Sequence, residues 1–197
     1  YEKEVHGSVK RKDLNIPENA FVVGMVGRMS LQKAPDVFVK MARLVKDRIP
    51  NAHFIIVGNG EQEYEVRKYA EENGFNDSLH ITGWVDNPMS YVELFDVACL
   101  LSRWEGFGLV LPEYMMAGKP IVASRVDAIP NIIRDGENGL LVSVDDPVGT
   151  YKAVMQIYQK DELKDKLVAQ GIEDVHNRFN ARRVSAEHSE LFNKEMD

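Results

Sequence analysis

The chain alternates between short apolar runs and segments with the apolar spacing of a helix. The apolar runs begin near Phe21, His53, Leu79, Asp96, Lys119 and Asn138. Strands that are buried on both faces have this nearly continuous apolar composition. The runs therefore predict a parallel sheet of about six strands.

Between several runs, apolar residues recur three or four positions apart, as on one face of a helix. Two such stripes are Val37, Met41, Leu44 and Val45, and Val66, Tyr69 and Ala70. After the last run, Asp146 and Pro147 predict the start of another helix. Strand followed by helix, repeated, predicts right-handed βαβ units. We therefore expect an α/β, Rossmann-like, doubly wound sheet with helices on both faces.

The polar and apolar pattern also suggests how the chain is organised. Its 197 residues, 44% of them hydrophobic, suffice for one globular core. Residues 1–20 are polar and irregular, which predicts a linker or a domain edge. We expect one Rossmann-like domain over residues 21–178 and a C-terminal helix over residues 179–197.

In an open parallel sheet, ligands bind beyond the carboxyl ends of the strands. The residues that follow the apolar runs are therefore the first candidates for a binding site. They are Arg28, Asn59, Trp84, the segment from Ser102 to Gly108, and Ser124.

The segment from Ser102 to Glu113 is the most informative of these. Pro112 fits only the first turn of a helix, so a helix should begin near Gly108 and end at Gly118. The backbone N–H groups of Gly108, Leu109 and Val110 would then be free to bind a small anion, and glycine would let that anion approach.

The same segment holds two glutamates. Taken singly, Glu113 is explained as an acidic residue in the first helical turn, and Glu105 as a solvated loop residue. Taken as a pair at the mouth of one crevice, they call for a further explanation, which the residues alone leave open.

Two cations follow the first predicted strand. Arg28 leaves the end of that strand, and Lys33 precedes a helix that Pro35 and Asp36 would open. Arginine offers a planar fork for phosphate oxygens and lysine a point charge. With the amides of Gly108 and Leu109, they predict a clamp for two linked phosphates, although such cations are often only surface charges.

The order of motifs resembles one family of enzymes. "GRMSLQK", "VGNG", "ITGWV", "SRWEGFGLVLPEYMMAGKPIVAS" and "NGLLV" resemble the C-terminal, donor-binding domain of family 4 retaining glycosyltransferases, one half of a GT-B fold. Ala34 stands where that family usually has glycine, and "EYMMAG" replaces its commoner "EAMACG".

The resemblance implies roles for these residues. Glu113 would bind the ribose hydroxyls of a nucleoside-diphosphate sugar, and Glu105 the sugar to be transferred. Arg28 and Lys33 would hold the diphosphate and, with Glu105, take part in catalysis. The backbone near Val85 would contact the base, although Val85 is equally explained as a core residue. The implied donor-binding set is Arg28, Lys33, Val85, Glu105, Phe107, Gly108, Leu109 and Glu113.

The resemblance further implies retention of anomeric configuration without a bound metal or other cofactor, and the sequence has no Asp-x-Asp pair. A net charge of −7 argues against nucleic acid as a partner. The single cysteine, Cys99, lies in an apolar run and suggests a buried thiol in a reducing, cytoplasmic compartment. No apolar run approaches the length of a membrane span.

A GT-B enzyme has two domains, and its acceptor site lies in the N-terminal one. We therefore expect this chain to be the donor-binding half of a transferase that acts on a glycan, lipid or other acceptor, and to be inactive alone. Its partners would be the nucleotide sugar and that N-terminal domain, and the full-length protein could also contact the inner face of a membrane. A non-catalytic binding domain and a nucleotide-sugar epimerase are the alternatives.

Overall fold

The computed structural model describes residues 9–178. Within them, one sheet holds six parallel strands in the order β3-β2-β1-β4-β5-β6. The strands are β1 (Phe21–Val26), β2 (Ala52–Val57), β3 (Leu79–Ile81), β4 (Val97–Leu100), β5 (Ile121–Ser124) and β6 (Leu140–Val142). Each apolar run identified in the sequence supplies one of them, so the predicted fold class is confirmed.

Seven α-helices connect the strands or follow them in the described range. They are α1 (Pro35–Arg48), α2 (Glu63–Glu72), α3 (Met89–Val92), α4 (Val110–Met116), α5 (Ile129–Ile132), α6 (Pro147–Gln159) and α7 (Asp161–Arg178). The predicted cap of α6 is present, because the Asp146 carboxylate accepts a hydrogen bond from the Gly149 N–H at 2.7 Å. The C-terminal helix predicted over residues 179–197 lies outside the described residues.

Apolar side chains fill both sides of the sheet. On one side, Val23 and Met25 of β1 pack with α1, α2 and α6. On the other side, Val22 of β1 and Ile55 of β2 pack with α3, α4 and α5. Because successive side chains of a strand point to opposite faces, a strand between two helical layers must be apolar at every position.

Residues 9–20 lie against this sheet. They include a short 3-10 helix, Arg11–Leu14, and the buried side chains of Ile16 and Ala20. The Arg11 guanidinium donates to the Ala20 carbonyl and forms an ion pair of 3.2 Å with Asp96. This segment thus contacts both the start of β1 and the turn before β4.

The strand order places a switch point between β1 and β4. From β1 the chain adds β2 and β3 on one side, and it then returns to add β4, β5 and β6 on the other. The loops that follow β1 and β4 therefore diverge to opposite faces of the sheet and leave a crevice at their carboxyl ends.

Candidate functional site

The crevice between the β1 and β4 loops contains most of the residues predicted from the sequence. One open cavity is lined by Lys33, Glu105, Phe107, Gly108, Leu109 and Glu113. A second cavity shares Lys33 and adds Arg28, Glu61 and Trp104. The structure thus brings together two cations and two carboxylates that lie up to 85 positions apart in the sequence, from Arg28 to Glu113.

Lys33 and Glu105 contact each other directly. The Lys33 ammonium lies 2.5 Å from Glu105 Oε2, which also accepts a hydrogen bond of 2.9 Å from the Ser102 hydroxyl. Burial raises the pKa of Glu105, but the hydrogen bonds from Lys33 and Ser102 outweigh it and hold that pKa below its usual value. Glu105 is therefore an ionised carboxylate that is only 7% exposed.

Glu113 has a different environment. It is partly buried at the other side of the cavity, and no cation among residues 9–178 pairs with its carboxylate. Burial raises the pKa of Glu113 because it disfavours the charged form. A partly buried carboxylate without a cationic partner gains from a ligand that supplies hydrogen-bond donors.

The segment between the two glutamates is shaped to present its backbone. Gly108 has φ +60°, a left-handed conformation that favours glycine, and α4 begins two residues later. Within residues 9–178, no backbone carbonyl accepts a hydrogen bond from the N–H of Leu109 or Val110. The side chains of Phe107 and Leu109 are each 77% exposed. The predicted helix start is confirmed, and Gly118 follows its end with φ +64°.

Arg28 is exposed, and its side chain pairs with no carboxylate in the described part of the chain.

Ala34, next to Lys33, adopts a left-handed conformation with φ +50°. Glycine adopts this conformation at no steric cost, whereas alanine pays on the order of 1–2 kcal/mol. The chain therefore keeps the left-handed turn at the position where the family usually has glycine.

Two glycines of the "VGNG" segment allow the loops after β1 and β2 to pack backbone against backbone. A Cβ atom on Gly58 would lie 2.2 Å from the Gly27 carbonyl oxygen, and one on Gly60 would lie 2.5 Å from that of Met29. These two glycines thus have a packing role in this structure.

Val85 lies after β3, at the same edge of the sheet. Its side chain packs against the core, whereas the neighbouring Trp84 is 72% exposed. The Val85 side chain is thus partly buried, and a contact between its backbone and a base stays a prediction.

Polar contacts that the sequence did not signal are made by the loop that carries Glu105. Asp127 accepts a hydrogen bond from the Glu105 N–H at 2.9 Å, and Arg103 forms an ion pair of 2.9 Å with Asp36. Asp127 lies 22 positions from Glu105 in the sequence, and Arg103 lies 67 positions from Asp36. No local pattern in the sequence signals such distant contacts. In the structure, Asp127 adopts a left-handed conformation with φ +44°, which is uncommon for a residue other than glycine.

Cys99 is fully buried in β4, as its place in an apolar run predicted.

Among the described residues there is no group of three or more histidine, cysteine or acidic side chains placed to hold a metal ion. The helices in that range are also too short or too polar to cross a bilayer.

Known proteins share the sequence pattern and the fold of this chain. The family model "Glycosyl transferases group 1" matches residues 8–174. A relative from Rhizobium meliloti, the lipopolysaccharide core biosynthesis glycosyltransferase LpsD, is 30% identical over 94% of this chain and 53% of its own length. Putative glycosyltransferase EpsD of Bacillus subtilis is 29% identical over 91% of this chain and 47% of its own length. The chain spans about half the length of these relatives.

Solved structures share the fold. The C-terminal domain of the group 1 protein LpcC from Francisella tularensis superimposes with a TM-score of 0.80 at 21% identity, covering 90% of this chain and 96% of that domain. HepE from Anabaena, solved in complex with UDP and glucose, gives a TM-score of 0.84 at 21% identity over 93% of this chain and 50% of its own. The extent of the family match places the chain among the group 1 glycosyl transferases, as a Rossmann-like domain of a GT-B fold.

Proposed function

We propose that the chain is the donor-binding domain of a retaining glycosyltransferase that uses a nucleoside-diphosphate sugar. The observation that carries this proposal is the crevice at the β1/β4 switch point, where Arg28, Lys33 and the free amide of Leu109 face two carboxylates. Cations and amides suit a diphosphate, and carboxylates suit the hydroxyl groups of ribose and sugar.

In this proposal the clamp also contributes to catalysis. When the bond between sugar and phosphate breaks, negative charge grows on the diphosphate leaving group. Preorganised cations and amides then stabilise the transition state more than the ground state. Arg28 and Lys33 supply the positive charge from the protein, so the proposal includes no metal ion or other cofactor.

Glu113 would accept hydrogen bonds from ribose, and Glu105 from the transferred sugar. Lys33 would exchange part of its contact with Glu105 for a phosphate oxygen when the donor binds. Structural neighbours solved with UDP or UDP-glucose make UDP the first nucleotide to test. Transfer itself would require the acceptor-binding part of the full-length protein, which we place in the cytoplasm.

The test is calorimetric titration of the chain with UDP and, for comparison, UMP. UDP should bind more tightly, because only it engages the whole clamp. Lys33→Ala should weaken UDP binding by about 1.5–3 kcal/mol, or roughly tenfold or more, the value of a charge-assisted hydrogen bond. Lys152→Ala, on the exposed side of α6, is the matched control and should change nothing.

A thermal-shift panel extends the test to GDP, ADP and their sugar conjugates. A ligand at a hundredfold excess over its Kd should stabilise the folded state by about 2.7 kcal/mol. If no nucleotide produced a shift at millimolar concentration, the donor-binding proposal would be wrong. If the chain bound nucleotide sugar but the full-length protein transferred none, it would be a non-catalytic binding domain.

A further inference from the structure

Arg103 joins two separate segments, the stretch from β1 into α1 and the loop before α6, to the loop that carries Glu105. Its guanidinium donates to the Leu31 carbonyl at 2.8 Å and to the Asp36 carboxylate at 2.9 Å. Its Nε lies 2.7 Å from the carboxylate of Asp145, in the loop before α6. The side chain is 17% exposed, so these contacts replace most of its hydration.

The backbones of the two loops are joined beside these contacts. The Arg103 N–H donates to the Gln32 carbonyl at 2.8 Å, and the Gln32 amide donates to the Trp104 carbonyl at 3.0 Å. Gln32 precedes Lys33, and Trp104 precedes Glu105. The two residues of the ion pair are thus each one position away from a bond between the loops.

This arrangement has an energetic consequence for the ion pair. Lys33 has a long side chain that loses rotamer freedom when it is held in one place, and this loss opposes the ion pair. Its partner lies on a different loop, so both backbones must already be close for the pair to form without a further loss of entropy. A guanidinium fork can hold three acceptors in fixed directions, whereas a lysine ammonium is a single point charge.

We infer that Arg103 is a positioning residue, which holds the β1 and β4 loops together and so places Lys33 and Glu105 for the donor. This inference rests on the proposed function. It assigns Arg103 no contact with the donor, because its polar groups are occupied by Leu31, Asp36 and Asp145. Loss of Arg103 should therefore act on binding through Lys33.

The first experiment is a double-mutant cycle read by UDP titration. Arg103→Gln should weaken UDP binding about tenfold, and Arg103→Lys should recover only part of the loss. In a Lys33→Ala background, Arg103→Gln should have little further effect, because residues that act through one another are not additive. Asp145→Asn, which removes one exposed partner of Arg103, should give a smaller loss of UDP affinity. It replaces Arg103→Gln as the test if that variant does not fold.

The matched control is Arg134→Gln. Arg134 also links separate segments through a buried carboxylate, that of Asp174 at 3.0 Å, but it lies outside the crevice. Arg134→Gln should lower the free energy of unfolding without changing UDP affinity. If Arg103→Gln behaved in the same way, Arg103 would be structural only and the inference would be wrong.

A second measurement needs no nucleotide. Side-chain NMR titration should show the pKa of Glu105 rising in Arg103→Gln, since a misplaced Lys33 no longer holds it down, and staying unchanged in Arg134→Gln. If the parent chain bound no nucleotide but this rise occurred, the donor-binding proposal would fail while the positioning role stood. An unchanged Glu105 pKa in Arg103→Gln would overturn the positioning role by itself.

Discussion

Glu105 and Glu113 line one cavity but differ in their surroundings. Glu105 is held by Lys33 and Ser102, whereas Glu113 has no cationic partner in the described residues. The Glu113 carboxylate can still accept hydrogen bonds, and we therefore assign it to the ribose hydroxyls. Ribose is present in a nucleoside diphosphate and in a nucleotide sugar alike.

Replacement of Glu113 should therefore affect both ligands. We expect Glu113→Ala to weaken UDP and UDP-sugar binding by the same factor, roughly tenfold or more for the loss of a charge-assisted hydrogen bond. Calorimetry with the two ligands measures this directly. A loss confined to the UDP-sugar would place Glu113 at the transferred sugar and contradict the assignment to ribose.

Replacement of Glu105 should separate the ligands. Glu105→Ala removes the anion that occupies Lys33, so UDP affinity should stay the same or increase. Transfer by the full-length protein should fall, because contacts to the sugar should strengthen as charge develops in the transition state. The measurements are UDP titration of the chain and kcat/KM of the full-length protein. Equal losses of UDP affinity in Glu105→Ala and Glu113→Ala would show that the division of roles is mistaken.

At the scale of elements, Tyr114 connects α4 to the strands beneath the crevice. Its hydroxyl accepts a hydrogen bond of 2.8 Å from the Val26 N–H and lies 3.5 Å from the Cys99 carbonyl oxygen, and the side chain is fully buried. Tyr114 thus ties the carboxyl end of β1 to the helix that carries Glu113.

We expect Tyr114→Phe to lower the free energy of unfolding by about 1–3 kcal/mol, because the Val26 N–H would lose its buried partner. Denaturant titration measures this loss. Tyr158→Phe is the control, since Tyr158 is 47% exposed and its change should be close to zero. Equal stability of the two variants would mean that water or another acceptor replaces the Tyr114 hydroxyl.

The elements themselves were predictable from the sequence for a physical reason. A strand buried on both faces must be apolar throughout, so each of the six strands leaves a run such as "HFIIV" in the chain. Pro112 and Gly118 likewise bounded α4, because proline and glycine restrict local backbone conformation. The short helices α3 and α5 have too few turns to leave a periodic stripe.

The contacts within the site were not predictable in the same way. The strand-end rule gathered Arg28, Lys33 and Glu105 at one edge, but not the ion pair between Lys33 and Glu105. That pair and the ion pair between Arg103 and Asp36 join residues that are 72 and 67 positions apart, respectively. Such pairings follow from the three-dimensional packing of loops, and a single sequence carries no local signal for them.

At the scale of the whole molecule, the neighbouring strands β2 and β3 carry a pair of histidines. His53 of β2 and His80 of β3 stack, and His53 Nδ1 lies 2.9 Å from His80 Nε2. Burial, followed by the nearby charges of His80, Lys46 and Arg11, lowers the pKa of His53 to about 4. Burial also lowers the pKa of His80. One neutral ring donates to the other, whereas two protonated rings would place two donors face to face.

This pair should make folding stability depend on pH. An unfolded histidine has a pKa of about 6.5, so below that pH the unfolded chain binds protons that the folded chain does not. Stability should therefore fall as the pH decreases from about 6.5 toward the folded pKa of His53, about 4. The slope that His53 contributes should approach about 1.4 kcal/mol per pH unit within this range. Denaturant titrations at pH 7, 6 and 5 of the parent, of His53→Gln with His80→Gln, and of His176→Gln measure it. The double variant should lose most of the slope, and His176→Gln, at an exposed position of α7, is the matched control. An equal slope in all three proteins would show that carboxylates, and not this pair, set the acid sensitivity of the fold.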